Sequence, residues 1–317
     1  MSLIFDALQR SEAERTGLAL SSLSTVTEVL QRAELHATSG RETAALLQQP
    51  VGAISEQNGI SPQSSVIAEV TKTEPLPSDA HPAVLGQFQR LQPLIHPAAR
   101  LVCYTDAESL AAEKFRFLGV SLQLLRRDRV LKKVLITSTI PQEGKSMVSA
   151  NLACSLARTT REKILLIEGD VRRPALSRTF GLEMLPGISE CLKRERALTS
   201  CIYHLEGPGL WFLPAGSAPK NPLEILQSER LSPIMEQLAI WFDWIVIDSP
   251  PVMPLADTSV WMRLADGVLL VVRQGITEKR QLERGIDALE PKKMIGAVLN
   301  GSKRQAKSDY YYSKPQP

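Results

Sequence analysis

Residues 134–146 read Val-Leu-Ile-Thr-Ser-Thr-Ile-Pro-Gln-Glu-Gly-Lys-Ser, and no other stretch restricts the fold of this chain as much. Four β-favouring residues, 134–137, run into a turn marked by Pro141 and Gly144, and Lys145 and Ser146 then open a helical pattern. The spacing predicts a strand, a phosphate loop and a helix. Backbone N–H groups at a helix N-terminus converge on whatever fills such a loop, and the partial positive charge there favours an anion. In that frame Pro141, Gln142, Glu143, Gly144, Lys145, Ser146 and Met147 are the candidate nucleotide-binding residues. Lys145 reaches the terminal phosphates, and the Ser146 hydroxyl ligates Mg²⁺. The general pattern has Gly five residues before Gly144, where this chain has Thr139, so neighbouring segments have to strengthen the identification.

A chain of 317 residues with 44% hydrophobic content is long enough for one α/β domain of about two hundred residues and an additional region. The formal charge of +3 divides into −3 over residues 1–100 and +6 over the rest, too little to suggest a nucleic-acid groove. Cys103, Cys154, Cys191 and Cys201 show no C-x-x-C spacing, and four scattered histidines make no zinc constellation. Reduced cysteines, no apolar run near the ~18 residues of a membrane helix and no basic-then-apolar leader together predict a cytoplasmic protein.

Residues 2–17 place Ile4, Phe5 and Leu8 on one side of a short helix, and a second helical pattern spans residues 25–47. Seven of the 21 prolines then fall between Pro50 and Pro97, which marks a linker. The expected division is a helical N-terminal extension over 1–48, a Pro-rich linker over 49–100, a nucleotide-binding domain over 101–300 and a flexible tail over 301–317. Residues 106–126 form a strong helix with Ala111, Phe115, Leu118, Leu122 and Leu125 on its packing stripe and the pair Glu113 and Arg116 facing outward.

Residues 163–167, with four consecutive apolar residues after Lys163, and the apolar run 244–247 show the pattern of strands buried on both faces. The first ends in Glu168-Gly169-Asp170-Val171-Arg172-Arg173-Pro174 and the second in Asp248-Ser249-Pro250-Pro251. Acids at strand C-termini stand where open α/β sheets place ligands, and Gly169 allows close backbone approach. Further strands are expected over 209–213, 266–272 and 294–299, helices over 187–195 and 277–289, and one or two helices over 223–241 broken near Ser232-Pro233. The fold class is α/β: a doubly wound, mainly parallel sheet of the P-loop NTPase type with a partly disordered helical N-terminal extension. Three of the five tyrosines, Tyr310, Tyr311 and Tyr312, lie in a tail with no apolar periodicity, which suits exposed hydroxyls able to enter an active site.

Together these segments resemble the bacterial tyrosine autokinases of capsule and exopolysaccharide synthesis, over about residues 106–312. Ser138-x-x-Pro141-x-Glu143-Gly144-Lys145-Ser146 is similar to the family's first nucleotide motif, Glu168-x-Asp170-x-Arg172-x-Pro174 to its second and Asp248-Ser249-Pro250-Pro251 to its third. Asn221-Pro222-Leu223-Glu224 and the tyrosine tail are similar to further family segments. The resemblance implies Mg-ATP-dependent phosphorylation of C-terminal tyrosines, usually between neighbouring subunits of a ring. It also implies activation by a membrane polysaccharide co-polymerase, here a separate chain that holds the kinase at the inner membrane.

Under that resemblance Lys145 serves the β- and γ-phosphates, Ser146, Asp170 and Asp248 hold Mg²⁺, Glu168 orients or deprotonates the incoming tyrosine, and Asn300 contacts the base. Three places depart from the family pattern: Glu168 stands for Asp, Gln142 for a common Gly and Gly119 for the last Arg of Glu-x-x-Arg-x-x-Arg, after Glu113 and Arg116. Gln142 is expected to avoid positive φ, which a side chain disfavours. Two competing functions share the fold, a positioning ATPase and a non-catalytic nucleotide-binding adapter. The ATPase signature needs a lysine where Ile140 and Pro141 stand.

Overall fold

In a computed structural model that describes residues 84–254 and 256–301, residues 133–138 form an interior strand of an eight-stranded sheet. In chain order the strands are β1 Gln89–Leu91, β2 Lys133–Ser138, β3 Ile164–Glu168, β4 Tyr203–Leu205, β5 Leu210–Leu213, β6 Trp244–Asp248, β7 Gly267–Arg273 and β8 Met294–Asn300. Their spatial order is β1-β4-β5-β3-β6-β2-β7-β8. Every pairing is parallel except β4 with β5, which form an antiparallel hairpin.

The continuous apolar runs are explained by burial on both faces. Leu135, Leu165, Ile167, Ile245, Ile247, Val268 and Leu270 belong to one core. Their alternate neighbours Val134, Ile136, Ile164, Leu166, Val246, Leu269 and Val271 belong to the other. Strand side chains point alternately to opposite faces, so a strand covered twice has no polar phase.

The helices are α1 Val102–Thr105, α2 Leu110–Asp128, α3 Lys145–Thr159, α4 Leu176–Thr179, α5 Ile188–Leu192, α6 Pro222–Leu226, α7 Leu231–Trp241, α8 Asp257–Leu264 and α9 Lys279–Asp287. Leu118 and Leu122 of α2, with Leu152 and Leu156 of α3, cover one face, and Leu238 of α7, Trp261 of α8 and Leu282 of α9 lie on the other. None of the described helices is long and apolar enough to cross a membrane.

Several expectations need correction. The helix expected from Asp106 begins at Leu110, because Ser109 caps it by accepting from the Ala112 N–H at 3.2 Å. Ala112, not Ala111, is the buried alanine of its packing stripe. The break in residues 223–241 falls at 227–230, and Pro233 sits in the first turn of α7, where its missing N–H removes no helical bond. The expected linker takes in residues 84–100, yet β1 pairs with β4 and Phe88 is buried against Trp241 and Phe242, with ring centroids 5.9 and 6.1 Å away. The two helical patterns of the N-terminal extension, most of the linker and the tyrosine tail lie outside the described residues.

Candidate active site

Parallel register brings the acidic strand ends together. Asp248 of β6 is paired in register with Ile136 of β2 on one side and Glu168 of β3 on the other. The C-terminal edges of these strands therefore carry the loop before α3, Asp248 and the segment from Glu168 to Pro174 side by side. Gly169 makes the approach possible: its N–H donates to the Asp248 carbonyl at 2.7 Å. A Cβ there would lie 2.8 Å from that carbonyl oxygen and 2.9 Å from the Trp261 ring. The Trp261 indole N–H donates to the Gly169 carbonyl at 3.0 Å and holds the turn from the other side.

The loop is strapped in place. Buried Glu143 accepts from the Ile140 N–H at 2.8 Å through one carboxylate oxygen and from the Arg273 N–H and Thr277 hydroxyl through the other. Asn300, at the end of β8, donates its amide to the Glu143 carbonyl at 2.8 Å. It thus lies against the loop with its N–H committed there. Gly144 caps α3 at φ +92°, and a Cβ on it would sit 2.2 Å from the Asn300 amide nitrogen. Pro141 and Gln142 are exposed, and Met147 is half-buried in the first turn of α3. Contrary to expectation, Gln142 takes φ +68°, and its carbonyl accepts from the Arg273 guanidinium at 3.0 Å.

Lys145 extends to Asp170, Nζ to Oδ2 3.1 Å, and lies 3.4 Å from the Ser146 hydroxyl. Asp170 also accepts from the Arg173 N–H at 3.0 Å. Asp248 is fully buried, and its Oδ1 accepts from the Ser149 hydroxyl at 3.2 Å. Desolvation pushes its carboxyl up to about 6, against the pull of nearby Lys145 and the Ser146 hydroxyl toward the charged form. Its Oδ2 is buried without a hydrogen bond of regular geometry. An orphaned carboxylate oxygen beside a serine hydroxyl and a second carboxylate makes an all-oxygen donor set, which fits a hard divalent cation such as Mg²⁺.

Glu168 has a different place from the one its sequence suggested. It is fully buried, and its Oε1 accepts from the Leu176 and Ser177 N–H groups at 2.6 and 3.3 Å. Its Oε2 accepts from the Ser177 hydroxyl at 2.9 Å and the Ala215 N–H at 3.1 Å. Both oxygens are committed within the protein, so this carboxylate positions the loop after β3 and does not offer a free proton acceptor to a substrate.

Asp257 and Glu190, which the sequence did not single out, complete the support. Arg172 forms a bidentate pair with buried Asp257 at 2.6 and 3.0 Å, which fixes the Asp170 loop to the first turn of α8. Glu190 accepts from the Gly187 and Ser217 N–H groups at 2.6 and 2.9 Å and from the Ser217 hydroxyl, which joins α5 to the loop after β5. Asp257 falls where no element is expected from sequence, and Arg172 and Ser217 stand 85 and 27 residues from their acids, too far to signal a pair. Outward Glu113 and Arg116 do pair, at 2.7 Å, but Gly119 faces inward, where a Cβ would lie 3.3 Å from Leu156. Tyr310, Tyr311 and Tyr312 lie outside the described residues.

No protein-family model matches the chain. By sequence it is similar to Tyrosine-protein kinase YwqD of Bacillus subtilis, 33% identical over 214 residues that cover 67% of this chain and 90% of YwqD. It is 30% identical over 204 residues to Tyrosine-protein kinase etk of Escherichia coli K12, covering 64% of this chain but 28% of that longer relative. Among solved structures, the kinase domain of Escherichia coli tyrosine kinase ETK superposes with a TM-score of 0.63 at 28% identity, over 71% of this chain and 88% of that one. The chimerical protein CapA2B2 superposes with a TM-score of 0.60 at 27% identity, over 70% and 96%.

Proposed function

The chain belongs to the family of bacterial tyrosine-protein kinases, and from that membership we propose that it transfers the γ-phosphoryl group of ATP to its own C-terminal tyrosines, Tyr310, Tyr311 and Tyr312, and so regulates polysaccharide polymerisation and export. One observation carries the assignment to this site: Lys145, Ser146, Asp170 and Asp248 share one sheet edge, and the Asp248 carboxylate keeps a buried oxygen without a hydrogen bond of regular geometry. Phosphoryl transfer asks mainly for positioning and for neutralisation of spreading charge, and needs no covalent intermediate.

The α3 N-terminal amides cradle the phosphates, and Lys145 leaves Asp170 to engage the β- and γ-phosphates. Ser146, Asp170 and Asp248 hold Mg²⁺, which supplies the remaining charge neutralisation at the transferring group. Glu168 and Arg172 act through others: they keep the Asp170 loop in register with Asp248. Asn300 and Glu143 hold the phosphate loop closed behind Gly144, and the Asn300 amide oxygen is the atom left to meet the base. The exposed Glu113–Arg116 pair supports contact between copies through α2, although inward Gly119 leaves that contact without the third charge of the family pattern. A membrane polysaccharide co-polymerase is the proposed activator and holds the kinase on the cytoplasmic side of the inner membrane.

The test is phosphotyrosine formation by the purified chain with Mg-ATP and the activator's cytoplasmic segment, beside Lys145→Met and a truncation before Tyr310. Signal present in the parent and lost in both variants is expected. ATP turnover without phosphotyrosine, indifferent to the truncation, would replace the kinase by a positioning ATPase.

A further inference from the structure

The edge of the sheet opposite the nucleotide site gathers positive charge from segments far apart in sequence. The ends of α2, α3 and α8 and the starts of β2, β3 and β8 meet there, bringing Arg126, Arg127, Arg129, Lys132 and Lys133 beside Arg158, Arg161 and Lys163, with Arg263 and Lys292 further along. Some of these have internal partners: Arg126 pairs with Glu162 at 2.9 Å, Lys133 with Asp266 at 3.3 Å, and Lys132 donates to the Ala239 carbonyl at 2.6 Å. Exposed Arg127, Arg158, Arg161, Arg263 and Lys292 form no ion pair among the described residues.

Arginines in a last helical turn complement the helix dipole, which accounts for Arg126, Arg127, Arg158 and Arg263 singly. It does not account for Arg161 or Lys292, which stand in connections. Val130, between Arg129 and Leu131, is 84% exposed. Arg126, Arg127, Thr159 and Thr160 line a depression of about 460 Å³ on the same edge. The one acid in that depression is neutralised: Glu162 gives one oxygen to Arg126 and the other to the Trp244 indole N–H at 2.8 Å. The Arg126 guanidinium is in turn held over the Trp244 ring, 4.8 Å from its centroid.

We propose that this basic edge is a membrane-contact surface that lies directly on anionic lipid headgroups, with Val130 entering the headgroup layer. The charge is spread over a broad edge built from several connections, which suits a diffuse anionic plane better than a single acidic peptide. Val130, exposed in the same connection as Arg129, adds an apolar contact to the positive charge, the combination that favours an anionic lipid interface. Contact at this edge turns the nucleotide site away from the bilayer, toward the side from which ATP arrives. The inference does not depend on kinase activity.

Sedimentation of the full chain with phosphatidylcholine vesicles, with and without phosphatidylglycerol, tests it. Expected is binding to the anionic vesicles only, weakened by added salt and roughly tenfold weaker in an Arg127→Glu, Arg161→Glu double variant, since each basic residue near such a surface contributes appreciably. Val130→Asp is expected to weaken binding as well. A Lys279→Glu, Arg280→Glu double variant, with the same charge change on exposed α9, and a truncation after Gly301 are expected to bind as the parent does. All four reversed residues are exposed and form no ion pair among the described residues, so unchanged thermal unfolding checks that the fold is intact. No binding to anionic vesicles, equal binding to neutral ones, equal loss in both double variants, or loss caused by the truncation alone would each overturn the proposal.

Discussion

At Gln142 the backbone takes φ +68°, and the side chain that accompanies it is exposed. A side chain in the left-handed region costs about 1–2 kcal/mol, whereas glycine there costs roughly 0.5–1 kcal/mol of extra unfolded-state entropy. Gln142→Gly is therefore expected to leave stability unchanged or slightly higher, and Gln142→Val to lower it by about 1–2 kcal/mol, since β-branching makes that region worse. Urea denaturation decides the matter. Equal stability of the two variants would mean that the loop does not need this conformation. Sequence did signal that the position matters, because the pattern it resembles favours glycine there, but not which way the conflict resolves. The Arg273 guanidinium, 131 residues away, fixes the carbonyl of Gln142 and with it the turn. Glu168 shows the same limit: its carboxylate was legible as a site residue. Its role was not, because its four donors come from α4 and from the loop after β5.

Elements were legible where their pattern is local and long. The spans of β2, β3, β6 and α3 follow from apolar runs and four-residue spacing, while β1 and β4, three residues each, carry too few positions to show a period. Helix registers were less secure. Glu113, Arg116 and Gly119 follow one another at spacings of three, which rotate steadily round a helix, so the pair faces water while Gly119 meets Leu156. The junction of α5 with the loop after β5 depends on a single acid. Burial alone would raise the Glu190 carboxyl, but the Ser217 hydroxyl and the Gly187 and Ser217 N–H groups outweigh it and hold it below the ordinary glutamate range. A depressed folded value means stability that is present above the unfolded pKa, about 4.3, and is lost as pH falls through the folded one. Glu190→Gln is thus expected to cost about 2 kcal/mol at neutral pH, the scale of hydrogen bonds to a charged group, with the gap to the parent closing as the pH is lowered below 4.3. Thermal or urea unfolding across pH 3 to 7 measures it, and a gap independent of pH would show that the charge is not what holds the junction.

For the molecule as a whole, sequence supplied the sheet class and the meeting of its acidic strand ends, since alternating strands and helices leave few ways to wind a parallel sheet. It did not supply the boundary of the folded unit. Proline content puts residues 84–100 with the linker, yet Phe88 fills the space beside Trp241 and Phe242, and β1 closes the hairpin side of the sheet. A chain beginning at residue 84 is expected to unfold like the full chain, whereas one beginning at 101 loses β1 and the buried phenylalanine ring and should be less stable by about 3 kcal/mol or more. Thermal unfolding of the two truncations checks this, and equal midpoints would return residues 84–100 to the linker.

The contact between Lys145 and Asp170 sets terms for every molecule that visits the site. A nucleotide does not find a waiting cation but has to win one from an internal rival of the same sign as itself. A diphosphate, with less charge to offer than a triphosphate, wins it less completely. If the site works as proposed, the aspartate would recapture the ammonium as the spent nucleotide leaves, a bias toward emptying set by two side chains 25 residues apart.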